Sequence, residues 1–336
     1  MKTPSPRTDS DTPNNPPAVS VFEISDPTTV GEFIEKIKQS AVQLESRPLR
    51  VRRVIVRLGA CVVLFQSTNR AVRTRTVVQE DVVAFVAFGP RAVGTMNGLP
   101  VGPDRLVAST PGIEVMFVVE AGYESVTLLV PPADIQSHLC GRGRDGEFNF
   151  PHGVELLTPR PAAARELYDW GRRLTELASR QPEVFNEPKV QAAAQVELVE
   201  GLLGTLSSAA RSESTFQDVT RQAHSQVVRD SEDYVLAHAG DRLYVTDLCH
   251  AAGVSERTLQ NVFKDMLGIT PIAYLTRLRL HRVRQALRVG THATTTVTAE
   301  ALRWGFWHFG EFSRAYKECF DELPSDTLRR PPDAAE

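Results

Sequence analysis

The sequence predicts a two-domain α+β chain: an N-terminal antiparallel β-rich domain, sandwich- or barrel-like with flanking helices, and an all-α C-terminal domain of short paired helices around a central one. Three observations carry this. The chain has 336 residues, room for about two cores at ~150 residues each. Between Leu49 and Val130 the apolar residues come in short β-branched runs broken by Gly, Pro, Asn or acids. Beyond Pro159 the apolar period becomes helical and stays so.

Hydrophobic residues make up 42% and charged residues 24%, ordinary globular values that exclude bulk disorder, collagen-like structure and a membrane array. The net charge is −3, so the whole chain is no polycation, although one local patch matters more to a nucleic acid than the total. No apolar run reaches the ~18 residues of a membrane span, and Met1-Lys2 is followed by polar residues rather than a secretory segment. A cytoplasmic protein, nucleoid-associated and without membrane partners, is expected. Cys61, Cys140, Cys249 and Cys319 lie far apart without a CxxC pair, which offers neither a zinc site nor a disulfide framework. No metal and no cofactor is expected.

Residues 1–18, rich in Pro, Ser, Thr, Asn and Asp, read as a disordered leader. Asp26 as cap, Pro27 in the first turn, and Phe33, Ile34 and Ile37 at helical spacing suggest a short helix. Strands follow in VRRVIVRL, ACVVLFQS, AVRTRTVV, DVVAFVAF and EVMFVVEA, and Asn97-Gly98 marks a tight hairpin. ARELYDWGRRLTELASR places Leu167, Trp170, Leu174 and Leu177 on one face, and an apolar helix continues to about Leu206. The expected divisions are a β-rich effector-sensing or dimerisation domain over 19–206, a flexible linker over 207–218, a helical domain over 219–330 and a tail over 331–336.

The helical domain carries the functional signal. From Arg257 to Lys317 there are ten Lys/Arg against three acids, a net of +7 within a slightly acidic chain. A phosphate backbone selects such a segment, although solvated helix faces also carry charge. In VTDLCHAAGVSERTLQNVFKDM a helix capped by Thr246 and carrying Leu248 turns at Gly253 into a second, capped by Ser255. Leu259, Val262, Phe263 and Met266 face inward, which leaves Arg257, Gln260, Asn261 and Lys264 outside. Arg pairs bidentately with guanine, and Gln or Asn with adenine, so this is a major-groove reader or an ordinary helical hairpin with a wet face.

The pattern recurs in VTAEALRWGFWHFGEFSRAYKECF. There Ala301 and Leu302 precede Gly305, the apolar positions are Phe306, Phe309, Phe312, Tyr316 and Phe320, and Glu311, Ser313 and Arg314 point elsewhere. Between the copies, TPIAYLTRLRLHRVRQALRV gathers Ala273, Leu280, Val283 and Leu287 on one side and Leu275, Leu278 and Ala286 on the other. Two opposed apolar stripes imply a helix held between two lobes, with Arg277, Arg284 and Arg288 on a third strip that reaches phosphate or stays solvated. About 20 residues of helix span ~30 Å, close to the ~34 Å between successive major-groove segments. The domain is thus expected to hold two helix-turn-helix motifs joined by a central helix, with Leu248, Gly253, Leu259, Phe263, Gly305 and Phe312 as their core.

These residues resemble the AraC/XylS family of bacterial transcription regulators from about Val235 to Arg330: DLCHAAGVSERTLQNVFKDMLGITPIAYLTRLRL, then Gly305-Phe306, Phe312, Tyr316-Lys317, Phe320 and Pro324-Ser325. The resemblance implies base reading by Arg257, Gln260 and Asn261 in the first motif and by Phe309, Gly310, Glu311, Ser313 and Arg314 in the second. Cys249 stands where the family usually has Ala, and Asp321 where Gly usually follows the Phe. GFWHFGEFSRAYKECF and the strands through PGIEVMFVVE look similar to the ethanolamine-operon activator branch, whose cobalamin effector is not carried over. The implied function is a sequence-specific DNA-binding regulator, an activator as most relatives are. Its expected partners are promoter or operator double-stranded DNA, RNA polymerase, a small-molecule effector and a second copy in a homodimer.

Phe85, Phe88, Phe117 and Tyr123 either line an effector pocket or pack a core. His138 and His152 lie beyond most of the strands, too few for a cupin-type metal site. The rival function is a β-sandwich or cupin-like enzyme with a helical accessory domain, but Gly-x-Ser-x-Gly, His-Glu-x-x-His and a Walker loop are missing. No enzyme activity and no catalytic residue are expected. A DNA-repair methyltransferase would need a metal-clustered Cys, and Cys61 stands alone in an apolar strand.

Overall fold

The computed structural model describes residues 16–32, 34, 36–79, 81–144, 150–160, 162–211 and 215–331. Most of the expected leader, Phe33, part of the expected linker and the tail beyond 331 lie outside them.

In chain order the strands are β1 (Val19–Ile24), β2 (Ile37–Gln43), β3 (Val51–Leu58), β4 (Cys61–Thr68), β5 (Val72–Val78), β6 (Val83–Phe88), β7 (Gly94–Met96), β8 (Leu99–Val101), β9 (Leu106–Ser109), β10 (Glu114–Val119), β11 (Glu124–Val130), β12 (Val154–Thr158) and β13 (Ala210–Arg211). They form two antiparallel sheets, one ordered β1-β3-β4-β11-β6-β9-β12-β13 and the other β2-β5-β10-β7-β8. Asn97 and Gly98 take φ of 47° and 85° and close the β7–β8 hairpin, the turn their pairing requires.

The runs in β3 and β6 lack a clean polar alternation because the larger sheet is covered on both faces. Val54, Val56, Leu58, Phe85 and Leu128 pack toward α2 (Ala163–Arg180) and α3 (Pro188–Leu206), which follow the short α1 (Pro132–Cys140). Ile55, Leu64, Ala84 and Leu129 point to the other face, where Ile37 and Val78 of the smaller sheet meet them. Gly171 lets α2 settle on the sheet, since a Cβ there would lie 2.5 Å from Val126. The inward face of α2 is Ala164, Leu167, Tyr168, Gly171, Thr175 and Ala178; Leu177, expected inward, is exposed.

The helix expected after Asp26 is a single 3-10 turn, Pro27–Thr29, capped by the Asp26 carboxylate on the Thr28 amide at 2.9 Å. Ile37 belongs to β2 instead, because pairing with β5 satisfies its backbone. Within 207–218, expected as linker, Ala210–Arg211 pairs with β12, and Thr215 forms a capping box with Asp218 at the start of the next helix.

The remaining helices are α4 (Phe216–Ala237), α5 (Val245–Ala252), α6 (Glu256–Leu267), α7 (Pro271–Val289), α8 (Val297–Arg303), α9 (Phe309–Phe320) and α10 (Pro324–Arg329). The central helix α7 has the two expected apolar sides. Tyr274, Leu275 and Leu278 pack with Val228, Leu248, Leu259 and Phe263. Leu280, Val283 and Leu287 pack with Ala301, Phe312, Tyr316 and Leu328. Ala273, expected in a stripe, is exposed.

The smaller sheet's outer face is covered by the C-terminal helices, and Val42, Leu44, Ala71 and Val118 share a core with α4, α5, α6 and α7. At its edge a Cβ on Gly98 would meet the Arg221 carbonyl of α4 at 2.3 Å, so the hairpin tip touches the helix backbone. Beneath α4, Arg73 of β5 grips Glu232 with two hydrogen bonds, Nε to Oε1 at 2.6 Å and a terminal nitrogen to Oε2 at 2.9 Å. Tyr274 donates its hydroxyl to the same carboxylate. Beside it Arg75 holds Asp233 at 2.6 Å and Glu114 at 2.9 Å.

Candidate nucleic-acid interface

The first motif is α5, a turn and α6. Gly253, at φ 64°, adopts the left-handed conformation that ends α5, and the Ser255 hydroxyl accepts from the Thr258 amide at 3.2 Å to start α6. The cap expected at Thr246 falls two residues earlier, at Tyr244, which makes no side-chain cap bond, so Thr246 lies inside the helix. On α6, Leu259, Val262 and Phe263 are buried. Arg257, Asn261 and Lys264 are exposed and Gln260 half-buried, so the outward residues read from the sequence stand on the solvent side.

The second motif repeats this plan. Thr296 caps α8 through the Ala299 amide at 3.1 Å, and Gly305 turns the chain at φ 75°. No other residue fits there: a Cβ would lie 2.6 Å from the Arg279 guanidinium and 2.8 Å from the Asp241 carbonyl. Phe312 and Tyr316 hold α9 down, while Gly310, Glu311 and Arg314 are exposed and Ser313 is half-buried. Phe309, expected among the packed aromatics, is 42% exposed. Asp321 takes φ 60°, the left-handed cap that Gly268 provides after α6. The departure noted at Asp321 therefore leaves the last turn unchanged in geometry.

Sequence reasoning passed over Trp307, which is 51% exposed. Together with Tyr244, Ile272, Arg279 and Glu311 it lines a cleft of about 480 Å³ between the two motifs. The signal available was an aromatic outside the helical apolar period, next to the turn glycine.

The arginine strip on α7 is the main correction. Arg284 reaches Asp26 at 2.6 Å and Glu322 at 2.7 Å, and is buried. Arg288 bonds the Thr28 hydroxyl at 3.0 Å and pairs with Glu32 at 3.3 Å. Arg277 donates to the Leu44 carbonyl and to the Ser46 hydroxyl. All three bond residues of the β-domain; Arg284 is buried and Arg277 and Arg288 half-buried, and Arg279 is buried as well. The +7 of the segment is therefore partly neutralised inside the molecule. The exposed remainder includes Arg257, Lys264, Arg303, Arg314 and Lys317.

Burial raises the Asp26 carboxyl, but the Arg284 charge and hydrogen bonds from Thr28 and Arg284 outweigh it and hold it below the ordinary value of 3.8. His281, on the same helix, is pushed down to about 3 by burial and stays neutral. No group of three or more His, Cys, Asp or Glu poised for a metal occurs among the described residues.

A family model described as a helix-turn-helix domain matches residues 248–330, the segment holding both motifs. The C-terminal domain belongs to the AraC/XylS family. It is 41% identical over 106 residues to the probable thc operon regulatory protein of Rhodococcus erythropolis, 32% of each chain. It is 39% identical over 83 residues to the XylDLEGF operon transcriptional activator of Pseudomonas putida, 25% of this chain and 26% of that one. A solved probable AraC family transcriptional regulator from Rhodopseudomonas palustris CGA009 is 36% identical, covering 31% of this chain and 98% of its own, with a TM-score of 0.29. The chain thus spans about a third or less of the length of these curated relatives. The AraC-type match ends at Arg330, and the β-domain lies wholly outside it. No helix among the described residues is long and apolar enough to cross a membrane.

Proposed function

We propose that the protein is a sequence-specific DNA-binding transcription regulator rather than an enzyme, and that it activates its target genes. The observation that carries this is the paired arrangement of α6 and α9, each with its reading residues on the solvent side and its apolar side locked against the buried helix α7. Its relatives, a probable thc operon regulatory protein and an activator of the XylDLEGF operon, support the same reading.

In this reading Arg257 pairs with a guanine, Gln260 and Asn261 read adenine, and Lys264 meets phosphate. Glu311 accepts from a cytosine, with Ser313 and Arg314 beside it. Gly310 brings the backbone of α9 close to the groove. RNA polymerase is the downstream partner and the β-domain over 19–206 the effector-sensing or dimerising part, in a protein of the cytoplasm.

Footprinting of promoter fragments with wild type and Arg257→Ala tests it. The variant is expected to lose about 1–3 kcal/mol at one base position and to relax preference there. Equal protection of cognate and random DNA by both proteins refutes the reading.

A further inference from the structure

Gln43, the last residue of β2, is 1% exposed, and its side chain crosses to the C-terminal domain. Its Nε2 donates to the Cys319 carbonyl of α9 at 2.6 Å, across 276 positions, and lies 3.6 Å from the Cys319 sulfur. Cys319 stands in the last turn of α9, where helix carbonyls have no amide ahead of them. The amide four positions on, at Leu323, turns instead to the Asp326 carboxylate at 3.3 Å. Gln43 therefore caps the second reading helix from outside its own domain, a donor placed at the negative end of the helix dipole. The first reading helix is closed locally, where Gly268 takes the left-handed cap and donates to the Lys264 carbonyl at 3.0 Å. In α9 the equivalent bond, from Asp321 to the Lys317 carbonyl at 2.8 Å, is present, and the Gln43 bond is added to it.

A second tie reaches the same end of α9. Glu322, two residues past the helix, pairs with Arg284 at 2.7 Å, and Arg284 pairs with Asp26 of the β-domain at 2.6 Å. The chain that carries Gln43 also grips the rest of the helical domain. Leu44 packs its side chain into the core shared with α4, α5, α6 and α7, and its carbonyl accepts from Arg277. The Ser46 hydroxyl accepts from the same guanidinium at 2.9 Å. Both helix pairs are thus fastened to one strand end, and β2 is itself paired with β5 along its whole length.

We propose that Gln43 is a positioning residue for DNA reading: together with Asp26 it seats α9 from the β-domain, so that the angle between the two reading helices is set by β2 as well as by α7. A hydrogen bond to a buried carbonyl has one geometry and is felt when lost, because the carbonyl is left without water or partner. Loss of the cap frees the far end of α9 while α6, closed within its own lobe, keeps its place. The proposal rests on the reading of DNA by α6 and α9 and says what holds the second of them in register.

The test compares the full-length wild type with Gln43→Met, which keeps the volume and removes the donor. Footprint titrations use the duplex that wild type selects from a random-sequence pool, and the half-site disturbed by Arg257→Ala is taken as that of α6. Gln43→Met is expected to weaken protection of the other half-site about fivefold or more and to leave the α6 half-site within about twofold. Hydrogen exchange without DNA gives a second readout: the amides of α9 are expected to exchange about fivefold faster in the variant and those of α6 at the wild-type rate. Should Gln43→Met fail to fold, Asp26→Asn, which removes the charge opposite Arg284, must produce the same split. Equal weakening of both half-sites, equal change in both helices, or no change in either overturns the proposal. If wild type selects no duplex, the DNA reading itself falls, and the exchange of α9 against α6 still decides whether Gln43 seats the helix.

Discussion

Glu232→Ala isolates the contact that joins the two parts of the molecule. Arg73 and Glu232 are 2% and 1% exposed, and their paired bonds of 2.6 and 2.9 Å leave no room for water between them. Removing the carboxylate strands a buried guanidinium, a loss of about 3–5 kcal/mol. It also orphans the Tyr274 hydroxyl, whose bond to a charged acceptor is worth about 1.5–3 kcal/mol when removed alone by Tyr274→Phe. Glu114 and Asp233 do not take over, because Arg75 already holds both carboxylates. Replacing both partners, Arg73→Met with Glu232→Leu, removes the charges together and is expected to fall near wild type or above it. Urea unfolding at 25 °C of wild type, the two single variants and the pair measures the coupling as a double-mutant cycle. A loss below about 1 kcal/mol in Glu232→Ala, or a double variant as poor as the sum of the singles, refutes the argument.

Arg284→Ala removes the buried cation between Asp26 and Glu322, which keep only Arg288 at 3.8 Å and the exposed Arg330, so it is expected to cost up to about 3–5 kcal/mol in urea unfolding, while the salt dependence of DNA binding keeps its slope. Asp321→Gly places glycine at a left-handed cap where a side chain is strained, and a gain of about 0.5–1 kcal/mol is expected by the same assay. Acid destabilises through His281, which is buried beside Cys319 and feels the charges of Asp26, Arg284 and Arg277. The unfolded chain binds this proton near 6.5 and the folded chain near 3, so stability is lost as pH falls between those values, at up to about 1.4 kcal/mol per unit. His281→Phe is expected to flatten that slope. Asp26 adds a further loss only below its ordinary value of 3.8, because its carboxylate is the stabilised form.

How much of this was legible in the sequence follows the range of each interaction. The turns at Gly253 and Gly305, the cap at Ser255, and the Asn97-Gly98 hairpin each lie within a few residues of their cause. The two stripes of α7 were readable for the same reason. At 100° per residue, Leu275 and Leu278 fall on the side opposite Leu280 and Leu287, and the helix buries both sides. The short helix expected after Asp26 failed where a longer-range partner intervened: β5 lies 41 positions from β2 at Ile37↔Val78 and draws that segment into a strand.

What the amino-acid order determined by itself was therefore the local architecture: a strand-rich first half, two helix pairs each turning at a glycine, a central helix with two buried sides, and an outward set on α6 and α9. What the tertiary structure decided was where the charges go. Arg73 finds Glu232 across 159 positions and Arg284 finds Asp26 across 258, separations at which no periodicity links the partners. The same holds for Arg53, whose burial among glutamines depends on two sheets closing over it. Solvation explains the difference: a guanidinium is equally at home on a wet helix face or in a buried clasp, and packing alone settles which carboxylate, if any, lies opposite.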